Sequence, residues 1–256
     1  VNLRRDDAGA GPGDRAGLET RFDRALAEMW VAYQPIVDLR KNIVLGYEAL
    51  LRSKEPSLPS PLDMLDAAER LGRMSELGQR VRARAVKEFE AMPDKDAILF
   101  LNLHTSELLD ASLYDADSRL APVASRVVLE VTERTTIDQV QDVKARASVL
   151  RFHGFRIAGD DLGAGYAGLT SFVSLEPELV KLDMSLIRGI DGSRIRQQIV
   201  RSVVGLCAKL EMRVGAEGVE AAAGLRTVRL LGCHAAQGYY IGRPAANFAP
   251  ISSLTV

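Results

Sequence analysis

The chain has 256 residues and 47% hydrophobic content, enough for a full-sized core, and its length fits one α/β barrel or two smaller domains. A formal net charge of −1 excludes a global basic field able to hold a nucleic-acid duplex. No apolar run reaches the roughly 18 residues of a membrane span, and no signal peptide is visible.

Residues 1–17 are rich in Gly, Asp and Arg and lack apolar periodicity, so they read as a linker or tail before one domain over 18–256. A start at Val1 rather than Met leads us to expect a piece of a longer protein, with an upstream regulatory domain missing. Leu18, Phe22, Ala25, Leu26 and Met29 have helical spacing and predict a helix over 18–29. Segments 31–38 and 43–51 are strand-like, and the short polar turn between them makes the pair antiparallel. The proline-rich stretch 53–61 is a surface loop, and 62–92 carries helical patterns. Strands then follow at 97–103, 127–131, 156–160, 179–182, 213–217 and 235–240, with helical stretches such as 138–153, 193–211 and 221–231 between them. Strand–helix alternation over this length implies a mostly parallel sheet with right-handed crossovers. Eight strands within about 210 residues suggest a closed, TIM-like (β/α)8 barrel with an antiparallel first strand. Cys207 and Cys233 have no metal-type spacing and read as reduced thiols of a cytoplasmic protein.

Polar residues close one apolar strand after another: Glu48, Asn102, Glu130, Asp160 with Asp161, Lys181, Glu217 and Gln237. In a barrel such strand ends converge, and converging acids repel unless a cation lies between them. Carboxylate and amide oxygens suit a hard divalent ion. The pattern therefore reads as a hydrolase scaffold holding divalent metal. Taken singly, several of these residues have blander readings. The Asp160–Asp161 pair could be a solvated strand end, although Gly163, Gly165 and Gly168 just after it favour a tight, mobile loop. That loop lacks the Lys-Ser/Thr of a P-loop. Lys181 alone could snorkel to the surface, Arg52 could merely solubilise, and Glu133 and Glu220 could be helix-start acids. His104 shares a strand face with Asn102 and reads as a structural or substrate-edge residue. Phe100, Phe152 and Phe155 read as core, whereas Tyr166, Tyr239 and Tyr240 are candidates for stacking on a base.

Short motifs in a fixed order carry a resemblance. Tyr33-Gln34-Pro35-Ile36-Val37-Asp38 is followed by Gly46-Tyr47-Glu48-Ala49-Leu50-Leu51-Arg52. Then come Asn102 in Leu-Asn-Leu, Glu130 and Glu133 in Leu-Glu-Val-Thr-Glu, the Asp160-to-Tyr166 glycine loop, and Lys181-Leu182-Asp183. Ala216-Glu217-Gly218-Val219-Glu220, Gln237-Gly238-Tyr239-Tyr240 and Arg243-Pro244 complete the set. From about Leu18 to Pro244 the chain resembles EAL-domain cyclic di-GMP phosphodiesterases. The resemblance implies hydrolysis of cyclic di-GMP to linear pGpG with two Mg²⁺ or Mn²⁺ ions, or, as the alternative, a catalytically weak or silent receptor for the same nucleotide. It implies Glu48, Asn102, Glu130, Asp160, Asp161 and Glu217 as metal ligands. It makes Lys181, Glu217, Gln237 and Glu48 the catalytic set, and Gln34, Arg52, Asp183 and Tyr239 the substrate contacts. Glu133 organises the double-Asp loop, Glu220 plays a supporting part, and a homodimer forms beside that loop. The chain departs from the family pattern at Leu162, where Phe is usual, and at Ala164, where Thr is frequent.

Overall fold

The structure, a computed structural model, describes residues 12–132, 142–163 and 174–249. Eight strands close a barrel in chain order. They are β1 (Trp30–Asp38), β2 (Ile43–Arg52), β3 (Ile98–His104), β4 (Val127–Thr132), β5 (Arg156–Leu162), β6 (Leu179–Leu182), β7 (Arg213–Ala216) and β8 (Ala235–Gln237). β1 runs antiparallel to both of its neighbours, β2 and β8, and the remaining pairs are parallel. A hairpin joins β1 to β2, with Asn42 in the left-handed region at φ 58°; the other strands need crossovers and run parallel.

The described helices are α1 (Pro12–Glu28), α2 (Pro61–Leu71), α3 (Met74–Glu90), α4 (Val143–Phe152), α5 (Met184–Ile187), α6 (Arg194–Lys209) and α7 (Ala222–Leu230). α1 begins earlier than its apolar stripe, at a proline suited to the first helical turn, with Asp14 favourable beside the dipole. Asp14, Arg15 and Ala16 are exposed, so hydrophobic periodicity does not reveal this start. Leu18, Phe22, Ala25, Leu26 and Met29 are buried as expected. The helical patterns over 62–92 form two helices. Gly72 at φ 70° caps the first of them, and Ser60 with Asp63 forms a capping box at its start. Phe152, expected in the core, is 89% exposed. The buried stripe of α4 is Val143, Ala147 and Leu150, which leaves Phe152 on the opposite side. The start of the helix expected over 138–153 partly lies outside the described residues.

Strand parity places the site. Ile36, Ile98, Phe100, Val128, Ala158, Leu179 and Ala235 pack together as the barrel interior. Two residues further along the same faces come Gln34, Asn102, Glu130, Asp160, Lys181 and Gln237. Register aligns them: Gln34 opposes Glu48, Asn102 opposes Glu130, and Lys181 opposes Gly215, two residues before Glu217. The apolar interior therefore ends in a polar layer at the C-terminal ends of the parallel strands, where chemistry in such barrels resides. No helix among the described residues is long and apolar enough to cross a membrane.

Candidate active site

Lys181 stands at the centre of this layer, buried to 3% exposure. Its Nζ lies 2.8 Å from Glu130 Oε1, 3.4 Å from Asp160 Oδ1 and 3.8 Å from Glu48 Oε2, and it also pairs with Glu217. Burial alone would lower its pKa, but Asp160, Glu130, Glu217 and Glu48 outweigh that and hold the ammonium well above its ordinary value. A snorkelling surface lysine is thus excluded.

The acids divide by environment. Burial raises Glu130 well above the usual carboxylate range; Lys181 opposes this, while Glu48 and Asp160 add to it. Glu217 is pushed up to about 8 by burial, against the pull of Lys181. Glu48 moves the other way. Burial would raise it, yet Lys181 and the amide donors of Gln237 and Asn102 hold it below its ordinary value. Asn102 Nδ2 donates to Glu48 Oε1 at 2.7 Å, and Gln237 Nε2 donates to Glu48 Oε2 at 2.6 Å. Gln237 Nε2 also donates to Gln34 Oε1 at 3.0 Å, and Gln34 Nε2 to the Gly242 carbonyl at 3.0 Å. Gln34 thereby ties the Glu48–Gln237 pair to the chain after β8.

Adjacent strand residues normally face opposite sides, so Asp160 and Asp161 should not share a site. A register shift between Gly159 and Leu162 in the β5–β6 pairing, together with Asp161 at φ 59°, breaks the alternation. One carboxylate oxygen each from Asp160, Asp161 and Glu217 then lies within 4.8 Å of the others. Glu130 Oε1 and Oε2, Asp160 Oδ1 and Gln237 Oε1 are buried without a hydrogen-bond donor. Glu130 Oε1 is near Lys181 but not at hydrogen-bonding angles. Buried acceptors lacking donors are costly, and oxygen-only ligands match a hard divalent cation. The residues present fit such an ion.

Above this floor a cavity of about 560 Å³ opens. Its polar edge includes Gln34, Glu48, Arg52, Asn102, Asp161 and Gln237, whereas Leu62, Leu65, Met74, Leu77 and Val81 of α2 and α3 form an apolar wall. The sequence reading missed that wall, because the amphipathic stripes of α2 and α3 do not distinguish core-facing from cavity-facing positions. Arg52 is partly buried at the edge and donates to the Leu51 carbonyl at 2.8 Å. Tyr239 is half exposed at the mouth, with the Arg243 guanidinium 4.3 Å from its ring centroid. His104 lines the cavity while its ring caps the 3-10 helix Thr105–Leu109. Glu220 sits on the rim, paired with Arg188 at 2.9 Å. Asp183 is not among the cavity-lining residues, and its carboxylate caps α5 through the Ser185 N–H at 2.9 Å. Glu133, Ala164 and Tyr166 lie outside the described residues. The reading also missed Glu107, a cavity-lining acid whose carboxylate is buried against Arg82 and accepts from the His104 N–H at 3.0 Å.

This is a (β/α)8 barrel with an acidic, oxygen-lined mouth at the strand C-termini. The model of the EAL domain matches residues 19–244, and the chain belongs to that family. It is 35% identical over 225 residues to the cyclic di-GMP phosphodiesterase PA2567 of Pseudomonas aeruginosa, covering 84% of this chain and 38% of the relative. It superimposes on Klebsiella pneumoniae BlrP1 in a manganese and cyclic di-GMP complex with a TM-score of 0.74 and 33% identity, covering 85% of this chain and 56% of that one. The PaMucR phosphodiesterase in complex with c-di-GMP gives a TM-score of 0.77 at 29% identity, covering 90% and 97%. The chain spans only 28% to 38% of the length of the first two curated relatives it matches.

Proposed function

We propose that this chain hydrolyses cyclic di-GMP to linear pGpG, using two divalent ions, Mg²⁺ or Mn²⁺. The observation that carries the reading is the convergence of Glu48, Asn102, Glu130, Asp160, Asp161 and Glu217 around buried oxygens that no donor satisfies. Manganese with cyclic di-GMP in the BlrP1 complex supports the choice of metal and nucleotide. Those residues would hold the ions. The ions supply Lewis-acid stabilisation of the phosphoryl oxygens and a water of lowered pKa.

The chain's own residues do the rest. Arg52, at the cavity edge, offers a guanidinium fork for a substrate phosphate. Gln34 and Gln237 fix the Glu48 carboxylate through their amides, so the ligand is oriented before substrate arrives. Lys181, packed among Glu130, Asp160 and Glu217, neutralises the acids and donates toward developing negative charge. Tyr239 offers a ring at the mouth for a guanine base. Asp183, a further substrate contact in this proposal, also caps α5 through its carboxylate.

The chain also forms a homodimer in this proposal, and an upstream domain regulates it. Exposed Ile195, Ile199, Leu206 and Leu210 on and just after α6 support the dimer. The rival is a silent cyclic di-GMP receptor, and retention of every expected oxygen ligand speaks against it. Chromatography after incubation with cyclic di-GMP and Mn²⁺ separates the two. Appearance of pGpG supports hydrolysis, and binding without turnover supports the receptor.

A further inference from the structure

The opposite end of the barrel carries a second cluster that the proposed hydrolysis does not use. β1 ends at Asp38, paired in register with Ala235 of β8, beside the start of β7 at Arg213. Asp38 is fully engaged: Oδ1 accepts from the backbone N–H groups of Arg40 and Lys41, both at 2.9 Å, and Oδ2 meets Arg213 at 3.3 Å. The Arg40 guanidinium is left with a different neighbour, His234 Nε2 at 3.2 Å. Yet the Val214 N–H already donates to His234 Nδ1 at 3.0 Å.

A neutral imidazole accepts at one nitrogen and donates at the other. With Nδ1 accepting, Nε2 carries the proton, and two N–H groups then face each other across 3.2 Å. The other tautomer only moves the conflict to Val214. Arg213 adds positive charge at the same rim, acting on both His234 and Arg156, with Glu178 opposing it at Arg156. Arg229 of α7 donates to Asn42 Oδ1 of the β1–β2 hairpin at 2.9 Å, while its Nε is buried without an acceptor. Facing donors, with the Arg213 guanidinium acting on the same ring, call for an oxygen anion.

We infer that the Arg40–His234 pair, at the end of the barrel remote from the acidic mouth, is a binding site for a small oxyanion of the phosphate class. One oxygen accepts from His234 Nε2–H and from the Arg40 guanidinium, resolving the conflict. Charge-assisted bonds of this kind are the stronger ones, and Arg213 stands beside them. The inference is independent of the hydrolytic reading, because no residue of the mouth takes part.

The groups facing His234 are Arg40 and Asp38 from the β1 end and Arg213 from β7. Burial, Arg40 and Arg213 hold the imidazole below its ordinary value, with Asp38 opposing them. A bound anion is met by the neutral tautomer that carries its proton on Nε2, because an imidazolium would turn Nδ1–H against the Val214 N–H.

The test follows the ring resonances of His104, His153 and His234 in the metal-free chain, assigned with His234→Gln, while inorganic phosphate replaces chloride at fixed ionic strength. The expected result is a saturable shift at His234 alone, lost in Arg40→Gln. A second arm uses glycerol 3-phosphate. An equal response shows that a terminal phosphate group suffices, and a response to inorganic phosphate alone restricts the site to the free ion. No saturable shift at His234, or an unchanged shift in Arg40→Gln, overturns the site.

Discussion

Lys181→Met is the sharpest perturbation of the account, because it removes the cation that, among the described residues, pairs with Glu48, Glu130, Asp160 and Glu217, while nearly keeping side-chain volume. The lysine is 3% exposed and lies between 2.8 and 3.8 Å from Glu130, Asp160 and Glu48, with Glu217 also paired. Breaking a buried ion pair from one side costs about 3–5 kcal/mol. For a domain of this size, that is a loss of about 6–20 °C in Tm. Glu130 and Glu217, already raised by burial, limit the loss by taking up protons. If the same acids are metal ligands, Mn²⁺ restores the missing positive charge. Thermal melts in EDTA and in Mn²⁺ should then show a larger metal-induced gain for the variant than for the unaltered chain. Turnover should fall about 10²–10⁴-fold while nucleotide affinity changes far less, as expected for a group that acts on charge developing in the transition state. A variant that melts with the unaltered chain in EDTA, or turns over normally, would refute the reasoning. A stability deficit that metal does not reduce would separate Lys181 from the metal site.

Glu48→Ala and Asp160→Ala should each abolish turnover while circular dichroism shows an intact fold, since both side chains line the cavity rather than the apolar core; near-normal activity in either removes that residue from the site. Excess EDTA should stop hydrolysis and Ca²⁺ should fail to support it, because its longer bonds and higher coordination spoil the geometry; activity undiminished in EDTA sinks the metal assignment. At the remote rim, burial pushes the Asp38 carboxyl up, but the Lys41 and Arg40 N–H groups and the Arg213 guanidinium outweigh it and hold it low. A depressed native pKa means that the unfolded chain binds more protons, so this contribution is present above the unfolded value of about 3.9 and is lost as pH falls through the native one. Asp38→Asn should therefore lower stability most above about pH 4 and converge with the unaltered chain in acid; a pH-independent difference in denaturation midpoints would contradict the ion-pair argument.

Much of this site was legible because strand parity and motif order carry it. An apolar run ending in one polar residue, repeated around a barrel, fixes where Glu48, Asn102, Glu130, Lys181 and Gln237 must meet. Three features were not legible. The shared site of Asp160 and Asp161 depends on a bulge and on a positive φ at a non-glycine residue, which alternation rules forbid rather than predict. The break at Gly72 was visible as a glycine, yet apolar periodicity continues across it and hides the two-helix wall of the cavity. Lys181 is the residue type most often found at the surface. Only the three-dimensional convergence of acids explains why it is buried here.

Hydrolysis of cyclic di-GMP in ¹⁸O-labelled water, with Mn²⁺ and the unaltered chain beside Glu48→Ala, tests the central claim most directly. Attack by solvent water predicts linear pGpG with one ¹⁸O in its terminal phosphate from the unaltered chain and intact nucleotide from the variant. Cyclic di-GMP recovered unlabelled and uncleaved from a chain shown to bind it would contradict the account.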